Sequence, residues 1–185
     1  MKWFIASDIH GSAYYCEKMI QAFDREKADR MLLLGDLLYH GPRNDLPEGY
    51  DPKGVIRLLN ERRESILCVR GNCEAEVDQM VLEFSVMADY CVICAEDRII
   101  YATHGHLFGE DDPPALQPGD ILLCGHTHVP KCVDHGEYLY LNPGSISLPK
   151  EGSYRGYMTI TDDVIDWKDL EGNLKMSKDL RRKHI

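Results

Sequence analysis

No stretch of the 185-residue sequence is long and apolar enough to form a transmembrane helix, and residues 2–7 have neither the length nor the cleavage site of a secretory leader. Basic residues are scarce: 21 Lys and Arg face 31 Asp and Glu, for a formal charge of −10. Binding along a phosphate backbone or an anionic bilayer needs a basic stripe, so neither nucleic acid nor membrane is expected as a partner. Small phosphorylated substrates survive this argument, because bound divalent cations reverse the local field even in an acidic protein. Internal repeats, low-complexity tracts and linkers are also missing. The expectation is one domain over residues 1–176, followed by a charged, solvated tail at 177–185.

A disulfide framework is the last absence. The seven cysteines are odd in number and irregular in spacing, and Cys68, Cys91, Cys94, Cys124 and Cys132 fall in strand-like runs. Buried free thiols in a reducing compartment, the cytoplasm, account for them. Cys91 and Cys94 spell C-x-x-C, but inside an apolar run rather than on a turn. A strand would point the two sulfurs to opposite faces, so they read as packing.

Apolar residues make up 44% of the chain, enough for a sizeable core. The first half alternates strand and helix. Residues 3–7, 31–34 and 65–69 read as strands. A helix over 12–27 starts at a Ser12 cap and places Cys16, Met19, Ile20 and Phe23 on one face. Asp51 and Pro52 supply a cap and a proline for a second helix, whose buried face is Val55, Ile56, Leu58 and Leu59. A short helix is expected at 74–82. The second half is mainly strand, at 90–95, 98–103, 121–124, 131–133, 138–142, 157–161 and 164–168. Glu96-Asp97, His135-Gly136 and Asp162-Asp163 mark tight turns between some of them. A pair of packed sheets with helices on the outer faces fits this order.

The informative pattern lies at the strand ends. Five apolar runs end directly in residues able to ligate a metal: Asp8 and His10, then Asp36 behind Gly35, Asn72 behind Gly71, His104 with His106, and His126 with His128. Ligands in open-sheet proteins gather beyond the carboxyl ends of strands, so five such ends can converge on one place. Each fragment alone has a plain structural reading as a cap, a turn or a hydrogen-bonded histidine. All five in one chain are hard to explain that way. Oxygen from Asp and Asn with imidazole from His suits Mn, Fe, Zn, Co or Ni better than an all-oxygen cage for Ca or Mg. Seven donors also exceed the needs of one tetrahedral ion, and a carboxylate can bridge two. A pair of cations roughly 3.5–4 Å apart is the usual device for displacement at phosphorus.

The order D-x-H, G-D, G-N, H, G-H-x-H resembles the calcineurin-like metallophosphoesterase superfamily, from Asp8 to His128. Residues 38–44 and 141–145 further resemble the small bacterial YfcE-like phosphodiesterases. The resemblance implies an α/β (α+β) fold, a four-layer αββα sandwich of two mixed sheets flanked by helices. It also implies a first metal held by Asp8, His10 and His128, a second by Asn72, His104 and His126, and Asp36 as the bridge. The cofactor is then two divalent ions, manganese foremost, with Ni, Fe, Zn or Co as alternatives. The expected reaction is hydrolysis of a small phosphate diester by in-line attack of a metal-bound hydroxide, with Asp36, Asn72, Cys73 and His106 at the reacting centre. Self-association as a dimer or tetramer is expected as well.

Most of the superfamily carries His after the G-N pair; this chain has Cys73, then Glu74. A thiol carries no positive charge and is a poor donor, so esters with good leaving groups are the expected substrates. His106 has either a substrate role or none. Arg70 and Arg43 are candidate phosphate contacts, with a surface ion pair as the plainer reading of both. A non-catalytic metal-binding scaffold for protein partners and a nuclease are the alternative functions. Intact ligand positions weigh against the first, and the negative charge against the second.

Overall fold

The computed structural model describes residues 1–95 and 98–181. Strand β1 (Lys2–Ala6) leads into helix α1 (Ala13–Glu26), and β2 (Arg30–Leu33) into helix α2 (Pro52–Asn60); β3 (Ile66–Cys68) is followed by α3 (Glu76–Gln79). The remainder is strand: β4 (Tyr90–Ala95), β5 (Arg98–Thr103), β6 (Asp120–Leu123), β7 (Pro130–Asp134), β8 (Tyr138–Pro143), β9 (Gly156–Thr161), β10 (Val164–Asp169) and β11 (Leu174–Asp179).

Two mixed sheets result. The first runs β11-β10-β9-β1-β2-β3, with β1, β2 and β3 parallel, and the second runs β4-β5-β6-β8-β7, with β5, β6 and β8 parallel. Continuous apolar runs in β1 and β2 reflect burial on both faces. Phe4, Ala6, Met31 and Leu33 face Cys16, Met19 and Phe23 of α1 and Val55 and Leu59 of α2. Ile5, Leu32 and Leu34 point the other way, into a second core with Trp167 of their own sheet and Ile121, Leu123 and Leu141 of the facing one. The α/β sandwich of two mixed sheets is therefore present. Among the described residues the outer face of the second sheet carries a small core of Leu122, Cys124, Tyr138 and Tyr140, packed by Leu116 of the 104–119 loop rather than by a helix.

Local expectations meet the structure unevenly. Ser12 caps α1, accepting from the Tyr15 N–H at 3.2 Å. Pro52 opens α2, but the Asp51 side chain makes no capping bond. Helix α3 is four residues long, shorter than the expected 74–82 segment. The Gln79 amide ends it, donating to the Leu82 and Phe84 carbonyls and accepting from Val86 N–H, so the chain closes into a loop. The β7–β8 and β9–β10 hairpins form at His135-Gly136 and Asp162-Asp163. The Glu96-Asp97 turn lies outside the described residues.

Strand β11 was not expected, and it runs three residues into the segment read as tail, of which 182–185 lie outside the described residues. It is a charged edge strand with only Met176 packed inward, so its sequence lacks an apolar alternation. All seven cysteines are free. Cys91 and Cys94 do face opposite sides of β4, but Cys94 is exposed rather than buried, and Cys91 and Cys132 are half-buried. They sit at sheet margins, where only one face is covered.

Candidate metal centre

The five strand ends meet at one edge of the sandwich. Backbone bonds continue the ladder past them: Asp8 N–H donates to Gly35 O at 3.1 Å, His10 N–H to Asp36 O at 2.9 Å, and Gly125 N–H to His104 O at 2.9 Å. There the chain turns sharply. Asp8, His10, Asp36, His126 and His128 all have positive φ, between 49° and 65°. Asp and His enter this region more readily than most residues, yet each still costs roughly 1–3 kcal/mol. Only Lys27, Glu151 and Asp162 share it among the other described non-glycine residues. Backbone strain is thus concentrated on the residues singled out for metal chemistry.

Their side chains form two adjoining sets. Asp8 Oδ1 lies 3.1 Å from His128 Nε2 and 3.5 Å from His10 Nε2, and those two nitrogens are 3.2 Å apart. In the second set His104 Nε2 lies 3.1 Å from Asn72 Oδ1 and 3.1 Å from His126 Nδ1. Asp36 stands between them, with Oδ2 3.7 Å from His10 Nε2 and Oδ1 3.5 Å from His104 Nε2.

The tautomers follow from the outer partners. His10, His128 and His104 each turn Nδ1 to a backbone carbonyl, of Tyr39 at 2.8 Å, Leu148 at 2.6 Å and Leu34 at 2.6 Å. A carbonyl only accepts, so those Nδ1 atoms carry the protons and the Nε2 lone pairs point inward. The Nε2 lone pairs of His10 and His128, 3.2 Å apart, repel unless a cation lies between them. Asp8 Oδ1 is fully buried and has no hydrogen bond. Burial, and then the neighbouring His104, hold His126 down at about 4, so its ring is a neutral donor at physiological pH. Converging lone pairs, an orphaned carboxylate oxygen and mixed O/N donors fit divalent first-row metals.

Three features behind the ligands hold this arrangement. Glu74, buried, accepts from the N–H groups of Asp36 at 2.9 Å, Leu37 at 2.7 Å and Gly71 at 2.5 Å, tying the end of β2 to that of β3. Gly35 and Gly71 let those ends touch: a Cβ on Gly35 would lie 2.5 Å from Gly71 N, and one on Gly71 2.1 Å from Asp36 Oδ1. Ser145 and Ser147 hydroxyls both donate to Asp8 O, at 2.8 and 3.1 Å, while Asn142 Nδ2 donates to Gly125 O at 2.6 Å. The 142–147 segment therefore supports the ligand loops from behind rather than lining the site. An acidic residue two places after Asn72 was a visible signal for Glu74, and the likeness of 141–145 to the family one for Asn142 and Ser145; Ser147 gave none.

A cleft of about 430 Å³ opens over both sets, lined by His10, Asp36, Asn72, Cys73, His126 and His128, with Arg43 and Lys150 on its rim. Arg43 makes no ion pair with a described residue. Cys73 N–H donates to Asp36 Oδ1 at 2.9 Å, and burial followed by the Asp36 charge pushes its thiol well up, so it stays protonated. Its sulfur, His10 and Asp36 offer ligand atoms within 4.8 Å of one another. Arg70 lies apart from Arg43. It donates to Glu74 O at 3.4 Å and shares a smaller hollow with Asn72, Asp89 and His106. His106 stacks edge-on to His104 at 5.3 Å, and its buried Nδ1 has no partner. Burial first, then His104, lower its basicity.

A family model described as the calcineurin-like phosphoesterase superfamily domain matches residues 1–163. The chain is 46% identical to the phosphodiesterase YfcE of Escherichia coli K12 over 165 residues, covering 89% of this chain and 90% of that protein. A solved structure of YfcE, a phosphoesterase from E. coli, superposes with a TM-score of 0.94 at 42% identity, covering 98% of this chain and 100% of that one. Vacuolar protein sorting 29 from Cryptosporidium parvum shares the fold, with a TM-score of 0.59 at 16% identity over 96% of this chain and 97% of its own.

Proposed function

The chain belongs to the calcineurin-like phosphoesterase superfamily, and from that premise we propose that it is a dinuclear phosphodiesterase acting on a small-molecule phosphate ester. It is a phosphoester hydrolase of a metal-dependent family. Asp8, His10 and His128 would hold one ion and Asn72, His104 and His126 the other, with Asp36 shared. Manganese is the first choice, and Ni, Fe, Zn or Co fit the same donors. The observation that carries this reading is the double engagement of Asp36, one oxygen toward His10 and the other toward His104.

Two divalent cations, when bound, supply Lewis acidity at the phosphoryl oxygens and make water nucleophilic at neutral pH. The protein's own groups do the positioning. Carbonyls of Tyr39, Leu34 and Leu148 lock the imidazoles in the donor tautomer, and the Cys73 N–H and Glu74 fix Asp36. The Cys73 thiol, held protonated and a weak donor, gives a leaving oxygen little help, so its proton comes from water and good leaving groups are favoured. His106 and Arg70 face the Asn72 side, where a substituent of the ester would lie. A small soluble substrate in the cytoplasm suits the −10 charge. No helix among the described residues is long and apolar enough to cross a membrane.

The test is metal-stripped protein titrated separately with Mn, Ni, Zn and Mg, with bound metal and hydrolysis of bis-p-nitrophenyl phosphate followed on the same samples. Activity should rise as two ions bind and vanish in Asp36→Ala. Two bound ions without turnover of this diester or its monoester would favour a metal-binding scaffold, and failure to bind metal would end the proposal.

A further inference from the structure

Arg43 and Lys150 are the two cations on the rim of the cleft, and both are exposed. Neither makes an ion pair with a described residue. Other surface cations such as Arg62, Lys131 and Lys175 are paired with carboxylates, and what distinguishes Arg43 and Lys150 is that both line the cleft over the two donor sets. Among the described residues the only carboxylate lining the cleft is that of Asp36, which faces His10 and His104 instead.

Their placement is set by the site itself. Arg43 belongs to the loop whose Tyr39 carbonyl orients His10. That loop is closed by Asn44, whose Nδ2 donates to His40 O at 2.8 Å and whose N–H donates to Gly41 O at 3.3 Å. It lies so close to the floor of the cleft that a Cβ on Gly41 would be 3.5 Å from Cys73 Sγ. Lys150 belongs to the turn whose Leu148 carbonyl orients His128, and its own N–H donates to His128 O at 3.3 Å. The two segments that orient the histidines of the Asp8 set thus also bring one cation each to the cleft. On the far side of His126 the hollow is lined instead by Glu110, Asp111 and Asp112.

We propose that Arg43 and Lys150 form a subsite for an anionic group on the substituent that stays with the phosphate, so that the preferred substrates are phosphodiesters bearing a second negative charge, a carboxylate or a phosphate. This deepens the phosphodiesterase reading and rests on it. Arg43 supplies a planar fork for either oxyanion and Lys150 a mobile point charge. The net charge of −10 makes the rest of the surface unfavourable on average for a dianionic ester, while these two side chains and the bound cations favour it at the cleft.

The experiment uses the manganese-loaded enzyme and three diesters that share p-nitrophenolate as leaving group and differ in the second substituent: glycolate, 2-methoxyethanol or choline. The chemical step is then common, and only the charge of the retained arm varies. The glycolate ester should exceed the choline ester in kcat/KM by roughly tenfold or more at low salt, the scale of one charge-assisted contact. The gap should narrow as salt is added. In Arg43→Gln/Lys150→Gln it should flatten, and in Arg43→Glu/Lys150→Glu it should invert. The bound cations attract anions equally in all three proteins, so the change in ratio isolates the two side chains. Equal turnover of the three esters, or an unchanged ratio in the variants, would overturn the subsite while leaving a phosphodiesterase. No turnover of any ester would bring down both readings.

Discussion

The backbone N–H of Asp36 donates to Glu74 Oε2 at 2.9 Å, so the residue proposed to bridge two metals is held by a carboxylate 38 positions away that itself faces no metal set. Glu74 takes two further N–H groups, from Leu37 and Gly71, and is the clasp between the loops after β2 and β3. Burial and the Asp36 charge both raise its pKa, and the three donors oppose them. Glu74→Ala would leave three buried N–H groups without a partner, a loss of about 3 kcal/mol or more. Metal affinity should fall by roughly 10–100-fold, as expected when an outer partner of a ligand is removed. Glu74→Gln keeps one acceptor oxygen and should lie between the two. Denaturant unfolding with and without metal, and calorimetric titration of Mn, check both effects; unchanged metal affinity would show that the clasp does not act on the site.

Gly35 offers a purely steric test of the same junction. Its φ is +92°, and an added Cβ would lie 2.5 Å from Gly71 N and 2.7 Å from Gly71 Cα, backbone that cannot move aside. Gly119 has φ +99° with nothing within 4 Å of such a Cβ, and so carries the cost of conformation alone. Gly35→Ala should lose at least about 2 kcal/mol beyond Gly119→Ala, and the melting temperature should fall by about 4–8 °C more. Equal losses in the two variants would show that the strand ends have room to separate.

Cys73 sits where a general acid would be useful and has a thiol pushed up by burial and by Asp36. Cys73→His should raise turnover of esters with poor leaving groups and leave those with good ones little changed, so that the dependence of rate on leaving-group pKa becomes shallower. A series of aryl and alkyl diesters measures that slope. Unchanged or lower rates across the series would show that the position does not reach the leaving oxygen.

Glu26 gives a pH prediction away from the site. Burial opposes its charge, but Lys2 at 2.6 Å, Lys168 at 3.0 Å and the Tyr157 hydroxyl at 2.8 Å outweigh it and hold the carboxyl down at about 2. A depressed carboxyl stabilises the fold above its unfolded pKa, so this contribution is complete above about pH 4.5 and is lost as pH falls toward 2. In urea unfolding between pH 5.5 and 3, stability should fall less steeply in Glu26→Gln than in the parent protein. Parallel slopes would show that the Lys2–Glu26–Lys168 cluster is silent.

The sheets of this protein and the location of its chemistry were legible because they rest on local patterns. Phe4 to Ala6 and Met31 to Leu33 are apolar on both faces, which marks doubly covered strands, and the residues after them change abruptly to Asp, His and Gly. Helix α3 and strand β11 were harder. Gln79 ends the first through contacts with residues beyond it, and β11 shows one inward residue, Met176, among charged ones. The thin outer layer over the second sheet also went unread, since a loop packed by Leu116 has no periodicity to detect.

By itself the sequence determined which residues stand at the ends of five strands and what chemistry their side chains can perform. Tertiary structure alone decided how they meet. It turned Asp8, His10, Asp36, His126 and His128 into left-handed backbone and set three imidazole tautomers with carbonyls of residues 34, 39 and 148. It also brought Glu74 and the 145–147 serines behind the ligands, and Arg43 and Lys150 onto one rim. Residue type and strand periodicity are properties of neighbours in the chain. A hydrogen bond between residues 8 and 145, or a shared cleft between 43 and 150, exists only once two sheets have packed and closed the distance.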